Sequence, residues 1–180
     1  MIDSSQNIHN VFLVGPMGAG KTTIGKQLAK SLGWSFIDSD HEIEKRTGVR
    51  IPVIFDIEGE EGFRRREKEM IDELTQVGNL VLATGGGAVL DAENRDRLKQ
   101  RGTVVYLRAT AEHLYNRTRR DRNRPLLQTD NPKQKIIDLL EQRDPLYQEV
   151  ADVIVNTGED NIKSVVKRLQ QELDRVGASR

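Results

Sequence analysis

The chain has 180 residues, 28 of them basic and 28 acidic, with no cysteine and only 4% aromatic residues. The length suits one domain, 1–180, with a substantial core, and the balanced charge argues against general affinity for nucleic acid or membrane surfaces. Disulfides, thiol nucleophiles and cysteine-ligated metals are excluded outright, which fits a reducing compartment.

In chain order, short apolar runs alternate with longer amphipathic ones. The first ten residues lack a cationic start followed by an apolar run, and no segment reaches the ~20 apolar residues of a membrane span. A soluble, cytoplasmic protein is expected. Runs rich in Val, Leu and Ile predict strands at 11–14, 35–37, 80–83, 104–107 and 153–155, without the polar alternation of a half-exposed sheet. Helical spacing predicts helices at 21–32, 40–46, 60–76, 91–100, 111–119, 133–143 and 162–174. Gly33 and Gly102 stand where C-caps belong, and Pro145 is expected to end the helix before it. This βα succession predicts a three-layer α/β/α domain with a parallel sheet between helices. Two stretches break the pattern: 48–62, with glycines at 48, 59 and 62, and the polar 121–132, with Pro125 and Pro132, which suggests a mobile flap.

Between the first strand and the first helix stands Gly15-Pro-Met-Gly-Ala-Gly-Lys21-Thr22, which fits G-x-x-x-x-G-K-[ST] at every fixed position. Gly15, Gly18 and Gly20 allow backbone N–H groups to turn inward toward phosphate oxygens, joined by the positive end of the following helix. Lys21 supplies charge to the β- and γ-phosphates, and the Thr22 hydroxyl suits a Mg²⁺ ion. Ala19 and Thr23 complete the loop. A nucleoside triphosphate site is therefore expected, and the question becomes what the triphosphate is for.

A GTP switch would need a guanine-reading N-K-x-D element, and none occurs; Asp56-Ile-Glu-Gly59 fits D-x-x-G only by chance. A motor ATPase would carry an apolar strand ending in an acidic residue, whereas the third strand runs into Thr84-Gly85-Gly86-Gly87. Small-molecule phosphoryl transfer remains, and it requires an acceptor site at the carboxyl ends of the strands. A switch or binding protein with slow hydrolysis is the alternative from another class. Asp38 and Asp40 flank Ser39 after the second strand, where one carboxylate can serve Mg²⁺ and the other can take a hydroxyl proton, while Asp38 or Ser39 caps the next helix. The three glycines permit close backbone approach to a ligand. Among Arg64, Arg65 and Arg66, two belong to a solvated, salt-bridged face, and Arg143 lies just before Asp144-Pro145. Either Arg64 or Arg143 can hold a carboxylate bidentately, and spacing alone does not choose. Arg117, Arg119, Arg120, Arg122 and Arg124 crowd together without an aromatic residue to stack bases, so a flap arginine over phosphates is expected, with Arg124 as the contact.

These residues together resemble the shikimate kinase family. The likeness rests on GPMGAGKTTIG, FIDSDHEIEKRTG, EGEEGFRRRE, LATGGGAV, RPLL and RDPLY, in the family's order over residues 10 to 156. The resemblance implies a nucleoside monophosphate kinase-like fold, with a five-stranded parallel sheet of order 2-3-1-4-5 and a closing lid near 117–132. It implies transfer of the γ-phosphate of ATP to the 3-hydroxyl of shikimate, with Mg²⁺, on the way to chorismate and the aromatic amino acids. Carried over by position, Asp40 binds the shikimate hydroxyls and acts as base, with Lys21 and Arg124 as further catalytic groups. Arg64 and Arg143 hold the carboxylate, and Gly86 lies in the acceptor loop, within an acceptor-binding segment near 38–66. Arg124 reaches the phosphates, Arg117 lies against the adenine, and Asp38 and Thr22 sit at the metal. ATP and shikimate are the implied partners of what is expected to be a monomer.

Overall fold

Five consecutive buried residues form the first strand, β1 (Asn10–Val14), the central strand of the sheet. A strand buried on both faces has no use for polar alternation, which is why its sequence reads as one apolar run. The computed structural model describes residues 9–121, 124–158 and 160–177. The remaining strands are β2 (Ser35–Asp38), β3 (Leu80–Ala83), β4 (Thr103–Arg108) and β5 (Val153–Asn156), all parallel, in the order β2-β3-β1-β4-β5. The helices are α1 (Lys21–Leu32), α2 (Ser39–Thr47), α3 (Ile51–Leu74), α4 (Ala92–Arg101), α5 (Ala111–Thr118), α6 (Pro132–Val150) and α7 (Ile162–Gly177).

Alternate residues of the strands serve opposite layers. Phe12, Val14, Leu80, Leu82, Val104 and Tyr106 pack with residues of α3, α4 and α6, while Val11, Leu13, Val81, Val105 and Leu107 pack with α1 and α7. At about 1.5–3 kcal/mol for each large apolar side chain fully removed from water, these two layers dominate the stability. The three-layer α/β/α class is as expected from the βα succession, and the strand order 2-3-1-4-5 is the one the family resemblance implies.

Two local expectations are corrected. The stretch 48–62 is not irregular: Gly48 (φ 73°) caps α2, and α3 starts at Ile51 with Pro52 in its first turn and runs to Leu74. Two helical segments meet there at a kink at Gly59 (φ 71°, ψ 178°), in a conformation closed to residues with a Cβ, and the second segment is the helix expected from residue 60. Asp56-Ile-Glu-Gly59 therefore lies in α3 and is no nucleotide motif. Pro145 likewise sits inside α6, which continues to Val150; it removes one helical donor without stopping the chain. Gly102 is the C-cap of α4, as expected; its backbone is extended, and its lack of a side chain serves packing, since a Cβ there would lie 2.7 Å from the Phe12 ring.

The topology fixes where a ligand can go. From β1 the chain passes through α1 to β2 on one side of the sheet, whereas β4 lies on the other side of β1. The carboxyl ends of β1, β2 and β3 thus open on one crevice at the switch point. They deliver the 15–20 loop, Asp38 to Asp40, and the three glycines to it. Within the 121–132 segment, Pro125–Leu127 forms a 3-10 turn and Leu127 is buried in the cluster that holds Leu114 and Ile136. Arg122 lies outside the described residues.

Candidate active site

The crevice begins at the loop after β1. Gly15 (φ 147°) passes so close to β4 that a Cβ would sit 2.5 Å from the Leu107 carbonyl oxygen, and Gly20 (φ 98°) opens α1 in a left-handed conformation. Ala19 is fully buried, and its carbonyl accepts a hydrogen bond from the Thr157 hydroxyl at 3.0 Å, fastening the loop to the end of β5. The Lys21 ammonium donates to the carbonyls of Gly15 and Pro16, at 2.6 and 2.8 Å. Burial, reinforced by Arg124, pulls its pKa down to about 8, with Asp40 and Asp38 opposing. A cleft of about 380 Å³ is lined by Gly18, Gly20, Lys21, Thr22, Thr23, Asp38, Asp40, Arg117 and Arg124. Arg117 donates to the Gly18 carbonyl at 2.9 Å, and Arg124 is turned by an ion pair to Asp121 at 3.0 Å.

Asp38 does two jobs at once. Its Oδ1 accepts from the backbone N–H groups of Asp40 and His41, capping α2, while its Oδ2 accepts from the Thr22 hydroxyl at 2.7 Å. Among the described residues no group of three or more His, Asp or Glu side chains could enclose a metal. A hydroxyl and a carboxylate in contact beside a phosphate loop do fit Mg²⁺, which takes one or two protein oxygens and completes its shell with phosphate and water.

Next to this cleft lies a smaller one of about 70 Å³, walled by Asp40, Arg64, Glu67, Arg143 and the glycine loop, with Ile51, Phe55 and Phe63 as apolar sides. Two of the glycines make room for its charged groups, and the third lies beside one at ordinary contact distance. A Cβ on Gly85 would lie 2.6 Å from Asp40 Oδ1 and 2.8 Å from Glu67 Oε2. On Gly87 it would meet the Arg64 guanidinium at 2.4 Å, and on Gly86 it would stand 3.5 Å from Arg143 Nη1. The loop itself is held by Ser39 Oγ, which accepts from Gly85 N, and by the Tyr147 hydroxyl, which donates to the Gly86 carbonyl.

The charges here are crowded and partly unsatisfied. Arg64 donates to Glu67 at 2.8 Å and to Glu60 at 3.1 Å. Asp40 Oδ1, Glu67 Oε2, Arg64 Nε and Arg143 Nε are buried with no hydrogen-bond partner in the protein. Orphaned buried polar atoms are rare, and four of them around one small cleft mark it as built for a polar ligand. Burial, then the neighbouring charges of Glu67 and Asp38, push Asp40 up to about 7, against Lys21 and Arg124. Glu67 is raised as well by burial, opposed by Arg64. Arg65 and Arg66, by contrast, pair with Glu61 and Glu58 in solvent, so the arginine triplet divides one inward and two outward.

A family model for shikimate kinase matches residues 17–174 of the chain. The chain belongs to the shikimate kinase family. A shikimate kinase from Nitrosococcus oceani is 62% identical over 164 residues, which is 91% of this chain and 86% of that one. Another, from Methylococcus capsulatus, is 54% identical over 172 residues, 96% of each chain. Among solved structures, shikimate kinase from Acinetobacter baumannii in complex with shikimate superposes with a TM-score of 0.91 at 54% identity, covering 93% of both chains. Membership of the shikimate kinase family accounts for the two adjoining clefts, one at a phosphate loop and one lined by arginines and carboxylates.

Of the residues singled out from the sequence, Gly18, Gly20, Lys21, Thr22, Thr23, Asp38 and Arg117 line the first cleft, Arg64 and Arg143 the second, and Asp40, Gly86 and Arg124 both, whereas Arg65 and Arg66 face solvent. Sequence reasoning missed Glu67, Tyr147 and Thr157. Glu67 reads as an ordinary helical partner of Arg64 at i+3, and neither Tyr147 nor Thr157 gives any local signal of the distant carbonyl it holds.

Proposed function

We propose that the chain transfers the γ-phosphoryl group of ATP to the 3-hydroxyl of shikimate, giving shikimate 3-phosphate and ADP. One observation carries this reading: Asp40, Arg64 and Arg143 converge on the Gly85–Gly87 loop within one step of Lys21 and Thr22. Shikimate is a small polyhydroxylated carboxylate, and the cleft offers two guanidinium groups, a carboxylate and a glycine wall. Arg143 and Arg64 bind the carboxylate, with Arg143 the more buried of the two. Asp40 accepts hydrogen bonds from the acceptor hydroxyls and takes the proton of the attacking one. Backbone N–H groups of residues 18–23 with Lys21 cradle the phosphates, and Arg124 comes from the lid to the transferring group. Arg117 flanks the nucleotide beside Gly18. Thr22 and Asp38 would hold Mg²⁺, which would supply charge neutralisation to the phosphates. The lid spans about residues 117–132, and its closure excludes water from the transfer. The protein acts as a cytoplasmic monomer; among the described residues no helix is long and apolar enough to cross a membrane.

The test is a coupled assay of ADP release with Mg²⁺-ATP and candidate acceptors. Shikimate-dependent release, with a phosphorylated product, is expected; hydrolysis that ignores shikimate, or preference for a nucleotide or gluconate, overturns the reading. The pH profile is a second expectation. A base must be ionised to take a proton, and Asp40 is raised to about 7. The kcat/KM for shikimate should therefore fall about tenfold per pH unit below an apparent pKa near 7, rather than near the ordinary carboxylate range of about 4. A flat profile down to pH 5 sinks the assignment of Asp40 as base.

A further inference from the structure

Arg143 projects from α6 where that helix is weakest. Pro145 has no N–H to give to the Glu141 carbonyl. A cavity of about 550 Å³, lined by Leu140, Glu141, Asp144 and Pro145, runs along the same turn, with Tyr106 and Arg108 across it. The turn that bears the guanidinium therefore lacks one ladder hydrogen bond and faces this cavity on one side.

Two phenols in tilted contact brace it. The rings of Tyr106 on β4 and Tyr147 on α6 lie 4.9 Å apart, and both residues are buried to within 1%. The Tyr106 hydroxyl donates to Asp144, next to Arg143, and the Tyr147 hydroxyl donates to the Gly86 carbonyl at 2.6 Å. Tyr147 stands one helical turn beyond Arg143, on the same face. Gly86 in turn lies beside Arg143, since a Cβ built on it would stand 3.5 Å from Arg143 Nη1. One tyrosine thus ties the helix that carries the arginine to the loop that forms the opposite wall.

We infer that Tyr147 is a positioning residue for the acceptor carboxylate: its hydroxyl locks the Gly86 carbonyl and so sets the gap between the glycine loop and Arg143. The inference rests on the reading of that cleft as the shikimate site. Tyr147 touches no reacting atom, and it acts on acceptor binding while leaving the nucleotide side alone.

Tyr147→Phe keeps the ring on Tyr106 and removes only the hydroxyl. The KM for shikimate should rise about 3- to 10-fold, the worth of one buried hydrogen bond, with the KM for ATP unchanged. Replacing Tyr147 by 4-aminophenylalanine, which keeps a donor at the same place, should restore the KM. An unchanged KM for shikimate, an equal rise in both KM values, or failure of the rescue overturns the inference. Amide hydrogen exchange of residues 85–87 in the ligand-free protein supplies a readout that needs no acceptor. Faster exchange in Tyr147→Phe is expected, and unchanged exchange rejects the tether whatever the acceptor is. Faster exchange in a protein that leaves shikimate unphosphorylated keeps the tether and rejects the acceptor assignment.

Discussion

Asp40→Asn is expected to lower kcat by about 10²- to 10⁴-fold, the usual worth of a positioned general base, while ATP binding survives. The substitution is nearly isosteric, so the space against Gly85 is unchanged and the fold has no cavity to absorb. It removes the property the proton transfer needs there, an oxygen able to gain a proton. The nucleotide side should keep its geometry, because the Lys21 ammonium is anchored by the Gly15 and Pro16 carbonyls and the Thr22 hydroxyl by Asp38. Steady-state kinetics and equilibrium titration with ATP separate the two effects. A near-normal kcat would remove Asp40 from the mechanism, and loss of ATP affinity would instead make it a structural support of the phosphate loop.

How much of this was readable beforehand follows the range of the interactions involved. The phosphate loop and the strands are local features: a fixed spacing of glycines, and apolar runs that burial on both faces demands. The stretch 48–62 misled because its glycines punctuate the sequence, although Ile51, Ile54 and Phe55 have helical spacing and two of them reach the core. Gly48 ends one helix and Gly59 bends the next, so two different uses of glycine look like one loop. Pro145 misled for a related reason, since a proline in a helix costs a hydrogen bond but does not forbid the helix when tertiary contacts such as those of Tyr147 and Val150 hold it.

In the candidate site the limit is different. Residue types told that a carboxylate and arginines were available, but spacing did not choose among Arg64, Arg65 and Arg66. That choice is made by burial: only Arg64 reaches the buried Glu67, and its neighbours discharge onto Glu61 and Glu58. The supporting contacts are less legible still, because Tyr147 and Gly86 are 61 residues apart and Thr157 and Ala19 are 138 apart. Nothing in a local window encodes a partner at that distance, and only the sheet order brings them together.

Arg143→Ala should weaken shikimate binding by about 2–4 kcal/mol, a rise in Kd of about 30- to 1,000-fold, with little change in Kd for ATP. Arg143 is 3% exposed, and its Nε has no hydrogen-bond partner in the protein. A guanidinium so placed is already stripped of water, and a carboxylate arriving there meets a charge with unspent donors. Its removal leaves the Arg64–Glu67 ion pair intact, so the loss reports ligand binding more cleanly than truncation of Arg64, which would strand the buried Glu67. Arg143→Lys sharpens the test, since it restores the charge but not the planar fork, and should recover only part of the affinity. Isothermal titration with each ligand, alongside thermal unfolding, decides the matter. A fall in ATP affinity equal to that for shikimate, or no change in either, would mean that the acceptor carboxylate is held elsewhere.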